Sequence, residues 1–185
     1  FSAIGGDDNI RLLPYIDYNV IKNNPKIFSG FSDTTANHFM MYKAGVTSFY
    51  GPCILSDFAQ YGSMFDYTVD AINNIFFDAN PHFEIKKCDY FTNEHFEWCE
   101  ENINKEKKKI PDSKGYEVLQ GTGKVSGKLL GGCIELLDMI NGTEIWPSLD
   151  EWRNKILFIE TSEETPSPQN VKYILRTLQA QGILN

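Results

Sequence analysis

Histidine, arginine and cysteine are scarce in this chain, and each scarcity narrows what it can be. Of 185 residues only three are histidine (His38, His82, His95), three are arginine (Arg11, Arg153, Arg176) and four are cysteine. A net charge of -8 at pH 7 leaves no basic face for a phosphate backbone, so nucleic acid is excluded as a partner. Cys53, Cys88, Cys99 and Cys133 form no C-x-x-C pair and no histidine stands at zinc spacing, so neither a metal nor another cofactor is expected. Scattered cysteines in a chain of this size fit reduced, partly buried thiols of a cytoplasmic protein. No apolar run has membrane-spanning length and no basic-then-apolar signal opens the chain, so no membrane partner is expected.

What is present suits a globular core: 42% of residues are hydrophobic and 14% aromatic. Short apolar runs at 1–4, 27–29 and 47–50 read as strands and alternate with helical patterns at 9–15, 33–44 and 65–78. The last of these carries Val69, Ile72, Ile75 and Phe76 at helical spacing. The expected fold class is α/β: a parallel-sheet, flavodoxin/Rossmann-like N-terminal domain over 1–85, a linker over 86–115, and part of a smaller β-rich mixed domain over 116–185. In that last segment 117–120 and 123–127 read as β-like, 134–140 as helix, 156–159 as a buried strand, and 167–181 as a helix with Val171, Ile174, Leu175 and Leu178 on one face. The lysine run 105–109 reads as a solvated face in so acidic a chain. Residues 1–4 begin inside a strand and 181–185 stop just after a helix, so the chain reads as an internal fragment of a longer protein.

The most informative stretch is Lys26-Ile-Phe-Ser-Gly-Phe-Ser-Asp-Thr-Thr35. An apolar run meets a Gly-Phe-Ser-Asp turn and a helix pattern follows, the geometry that lifts a serine hydroxyl out at a helix N-terminus. Ser32 is therefore the candidate nucleophile, and the N–H of Asp33 points where an oxyanion forms. Thr34 stands where a G-x-S-x-G motif has its second glycine, and Ser32 or Asp33 as a simple helix cap is the competing reading. Glu160 closes the run Ile156-Leu-Phe-Ile159, and a carboxylate at the C-terminal end of a buried strand can orient a histidine; a solvent-facing strand end is the alternative.

Other motifs exclude rather than assign. The stretch 121–128 is P-loop-like in composition, but Thr122 and Leu129 occupy positions that need glycine and a hydroxyl, so ATP binding there is rejected. Gly5-Gly-Asp-Asp8 follows a strand and opens a helix. It lacks a dinucleotide fingerprint, and its negative charge argues against a flavin phosphate.

Taken in order, Ile4-Gly-Gly-Asp7, Arg11-Leu-Leu-Pro-Tyr-Ile-Asp17, Asn24-Pro-Lys26, Gly30-Phe-Ser-Asp-Thr-Thr35 and Phe49-Tyr-Gly-Pro52 resemble the LD-carboxypeptidase family of serine peptidases. Gly127-Lys-Leu-Leu-Gly-Gly132, Gly142-Thr143, Trp146-Pro147 and Ile156-Leu-Phe-Ile-Glu160 continue the series. The branch most resembled contains the microcin C immunity peptidase. The resemblance implies a serine carboxypeptidase acting on a small peptide, with Ser32 as nucleophile, Glu160 as triad carboxylate and the N–H groups of Asp33 and Gly6 as oxyanion hole. It implies a substrate that is either a murein tetrapeptide cut before D-alanine or a microcin C-type peptidyl-nucleotide, and a homodimer. The family's histidine belongs to a segment later than Asn185, so the fragment is expected to be inactive. The alternative is an inactive peptide- or nucleotide-binding module of the same fold. Trp98, Tyr116 and Trp146 are candidates for an aromatic wall, with core packing the expected role of Trp146.

Overall fold

The computed structural model describes residues 1–184. In chain order the elements are α1 (Tyr18–Asn23), β1 (Ser29–Gly30), α2 (Thr35–Lys43), β2 (Phe49–Tyr50), α3 (Asp66–Ile72), β3 (Tyr90–Phe91), β4 (Ile110–Pro111), β5 (Lys128–Cys133), α4 (Ile134–Ile140), α5 (Leu149–Trp152), β6 (Lys155–Glu160) and α6 (Pro168–Ala180). Short 3-10 turns cover Asn9–Tyr15, Ser32–Thr34 and Glu100–Asn102. The chain folds as two compact units, one formed by Phe1–Cys53 and the chain from Val125 onward, the other by Ile54–Lys124.

The first unit is α/β with parallel strand pairs, as expected. β1 pairs parallel with β2, and β5 with β6 in the register Lys128↔Lys155 through Cys133↔Glu160. Local chemistry starts its helices. Asp17 accepts from the N–H groups of Asn19 and Val20 and opens α1. Ser148 and Glu151 form a capping box on α5, and Ser167 caps α6 with Pro168 in its first turn. α2 and α4 bury Ala36, Phe39, Met40, Leu137 and Ile140 against Leu130, Ile145 and Trp152. Phe39 lies parallel to Trp146 at 6.3 Å and tilted to Trp152 at 6.0 Å, so Trp146 is a core residue. The helices expected at 134–140 and 167–181 and the strand at 156–159 appear as α4, α6 and β6.

Residues 1–4 form no regular strand, although Ser2 N–H donates to Ser29 O at 2.8 Å beside β1. The β-like residues of 117–127 form no strand either. Val118 and Leu119 are 82% and 88% exposed, and β propensity without a neighbouring edge to pair with leaves the chain irregular.

The second unit holds α3, which runs into a π-helical turn at Asn73–Phe77, and the antiparallel pair β3·β4. Phe65 meets the edge of Tyr90 at 5.4 Å, and Lys109 lies over the Tyr90 ring at 4.8 Å, so that lysine is partly spent on an aromatic face. Asn102 is buried and donates to Glu97 O at 2.8 Å.

Candidate functional site

The turn at Ser32 is built by what flanks it. β1 is held to β2 by the pairs Ser29↔Phe49 and Gly30↔Tyr50, Phe31 continues extended, and at Ser32 the backbone turns to φ +57° before the helical run begins. A left-handed φ at a non-glycine residue costs about 1–3 kcal/mol and persists only where the surroundings enforce it. His38, 8% exposed, is part of that enforcement. A carbonyl only accepts, so Nε2–H donates to Gly30 O at 2.9 Å, and Nδ1 accepts from the Ser48 hydroxyl at 2.8 Å. Burial holds this imidazole below its ordinary pKa, so it is a neutral packing group. With Nε2–H given to Gly30 O and Nδ1 taken by Ser48, it has no free lone pair to act as a base for Ser32. His82 and His95 belong to the second unit.

Gly5 lies against the serine: a side-chain atom on it would stand 3.1 Å from Ser32 Cβ and 3.2 Å from Oγ. Only a bare backbone can approach a hydroxyl so closely. The next peptide N–H along the chain is that of Gly6. The Asp33 carboxylate, 3% exposed, caps the turn at Asn9–Tyr15 rather than its own helix, with Oδ2 accepting from Asn9 N–H at 3.2 Å. Burial, and then the charges of Asp7 and Asp8, raise its pKa despite that bond. The Asp33 N–H is among the first of a helical run and has no intrahelical carbonyl to bond.

Glu160 is the last residue of β6, and its side chain accepts a short hydrogen bond from the Tyr50 hydroxyl. That phenol oxygen in turn accepts the Ser32 N–H at 2.8 Å. Ser32 and Glu160, 128 positions apart by their numbers, are thus joined through one side chain. Burial first, and the Glu160 bond second, push the phenol well above its usual range, so Tyr50 stays protonated and donates. In the sequence Tyr50 stands only as part of Phe49-Tyr-Gly-Pro52. Its role was illegible because it depends on the β1·β2 register and on where β6 ends.

Two further groups escape sequence reading. Thr35 Oγ1 accepts the buried Cys133 N–H at 3.0 Å. Glu135 accepts from the Ser162 hydroxyl at 2.5 Å, from Ser162 N–H at 3.1 Å and from the Cys133 thiol at 3.3 Å, and so clamps the segment after Glu160. Burial opposes the Glu135 charge, but the Ser162 bonds outweigh it and the carboxyl lies below its ordinary range. Burial and then Glu135 push the Cys133 thiol up to about 11. Glu163 and Glu164 lie in the turn beyond. Trp98, 59% exposed against Tyr61, and Tyr116, 69% exposed, present open rings in the second unit. Among the described residues no helix is long and apolar enough to cross a membrane.

Residues 1–51 match the LD-carboxypeptidase N-terminal domain and residues 126–185 the LD-carboxypeptidase C-terminal domain, together more than half of the chain. The microcin C7 self-immunity protein MccF of Escherichia coli is 34% identical over 166 residues, 89% of this chain and 47% of that protein. A crystal structure of an MccF-like protein from Streptococcus pneumoniae in complex with AMP superposes with a TM-score of 0.86 at 34% identity, over 98% of this chain and 57% of that one. MccF in complex with aspartyl sulfamoyl adenosine gives 0.78 at 32% identity, over 97% and 52%. The chain spans about half the length of the curated relatives it matches. With both domains matched in order and the fold shared along nearly its whole length, the chain belongs to the LD-carboxypeptidase family.

Proposed function

We propose that this chain carries the nucleophile half of a serine carboxypeptidase that hydrolyses an amide bond near the C-terminal end of a small peptide. The observation that carries this reading is the strained Ser32, tied to the strand-end carboxylate Glu160. Ser32 Oγ attacks the carbonyl and its proton passes to a histidine that Glu160 orients. The tetrahedral intermediate expels the amine, which takes that proton, and water then releases the acyl group from Oγ. The Ser32 N–H is occupied by Tyr50, so the oxyanion falls to the N–H groups of Asp33 and Gly6. The base is neither His38 nor any residue the first unit describes. This reading takes the base, as the family resemblance implies, to be a histidine from outside residues 1–185, within a dimeric parent protein.

Of the two substrate classes, a peptidyl-nucleotide is favoured. Relatives of the same fold hold AMP and aspartyl sulfamoyl adenosine. A murein tetrapeptide is the other class. The engagement of His38 also gives a second reading some support: a module that binds such ligands without chemistry. A fluorophosphonate applied to the full-length protein separates the two. The peptidase reading expects labelling that Ser32→Ala abolishes; absence of labelling at a serine would leave the binding module.

A further inference from the structure

The Tyr50 hydroxyl has one proton and two lone pairs to place. The proton goes to Glu160 Oε1. One lone pair takes the Ser32 N–H at 2.8 Å. The donors run one way, from the Ser32 N–H through the Tyr50 hydroxyl to Glu160. Bonds in series polarise one another, so the last is the strongest placed. The ring is fixed as well: it packs against His38 at 5.3 Å and edge-on to Phe158 at 5.1 Å, and Gly30↔Tyr50 pairing holds its backbone beside the serine turn. No other hydrogen bond to Glu160 is recorded among the described residues, so without the phenol an exposed strand-end carboxylate would sample several rotamers.

From this convergence we infer that Tyr50 is a positioning residue, which holds the Glu160 carboxylate and the backbone of Ser32 in one fixed relation so that the carboxylate presents its remaining lone pairs to the catalytic base. The inference rests on the peptidase reading above, and it assigns a task to a side chain that touches no substrate. It makes Tyr50 act through Glu160, so the two must be non-additive.

The test is a double-mutant cycle in the full-length protein, read by fluorophosphonate labelling. The probe forms an Oγ–P bond and breaks P–F, and the hydroxyl proton goes to the base. Parent, Tyr50→Phe, Glu160→Ala and the double variant are compared for the maximal labelling rate and for the probe concentration giving half of it, with Tm measured on each. Phe keeps the ring packing and removes only the hydroxyl. Tyr50→Phe is expected to slow the maximal rate about tenfold to a hundredfold, as misplacement of a catalytic group does. The half-saturating concentration should hold, and the same change should have no effect in the Glu160→Ala background. Labelling of Tyr50→Phe at the parental rate, or equal slowing in both backgrounds, would overturn the positioning role while leaving the peptidase reading intact. Loss of rate matched by a fall in Tm in both backgrounds would mark Tyr50 as a packing residue only. Labelling that survives Ser32→Ala would sink the peptidase reading itself, and the inference with it.

Discussion

Ser32 holds a backbone conformation that a side chain disfavours, and glycine would hold it without strain. Replacing Ser32 by Gly is therefore expected to raise stability by about 1 kcal/mol after the entropic disadvantage of glycine, an increase of a few degrees in Tm. Ser32→Ala, which keeps the Cβ, should bring no such gain. Equal Tm values for the two variants would mean that the turn is relaxed. A residue that costs stability where it stands, and that is buttressed by Tyr50 and His38, is placed as functional residues commonly are. The same residue scale separates what could be read from the sequence from what could not. Ser32 and Glu160 are legible because each stands at the end of a short apolar run. Tyr50, Thr35 and Glu135 are not, since an aromatic, a hydroxyl or a carboxylate gains its meaning here from partners up to 110 positions away.

Among the elements, α4 brings Leu137 and Ile140 into the core that also holds Leu130 of β5. Leu137 is 1% exposed in the shared core, and Leu137→Ala should cost about 2–5 kcal/mol, measurable by denaturant unfolding. A loss below 1 kcal/mol would show that neighbours collapse into the space. The helices α4 and α6 were legible to within a residue or so because their apolar spacing and caps agree. The β-like stretch 117–127 misled for the opposite reason: strand propensity is fulfilled by a pairing edge, and none is offered to Val118 or Leu119. At the start of the chain, Ser2 bonds to Ser29 through a single backbone contact and stays irregular.

At the scale of the whole molecule, stability should fall in mild acid. His38 is held neutral in the fold, so its folded pKa lies below the unfolded value near 6.5, and the unfolded chain takes up the proton first. Stability present above that pH is lost as pH falls through it, a fall that Tm measured between pH 7.5 and 5.5 would register. Asp33 acts with the opposite sign: its raised pKa lets the folded state take up a proton first, which favours the fold as pH falls toward the carboxylate range. Comparing the parent with His38→Gln over the same interval isolates the histidine, and parallel Tm profiles would exclude it as the cause. The glycines of β5 also bear on how the molecule assembles. A side chain at Gly131 would meet Phe158 O at 1.8 Å, and one at Gly132 would meet Thr35 Oγ1 at 2.5 Å. If β5 slipped one place along β6 in one direction, Leu130 would arrive where Gly131 belongs. A slip in the other direction would bring Cys133 to the place of Gly132. Two adjacent glycines thus act as a proofreading device: a misregistered pair cannot close, and only correctly paired strands deliver the glutamate that ends β6 to the tyrosine waiting beside the serine.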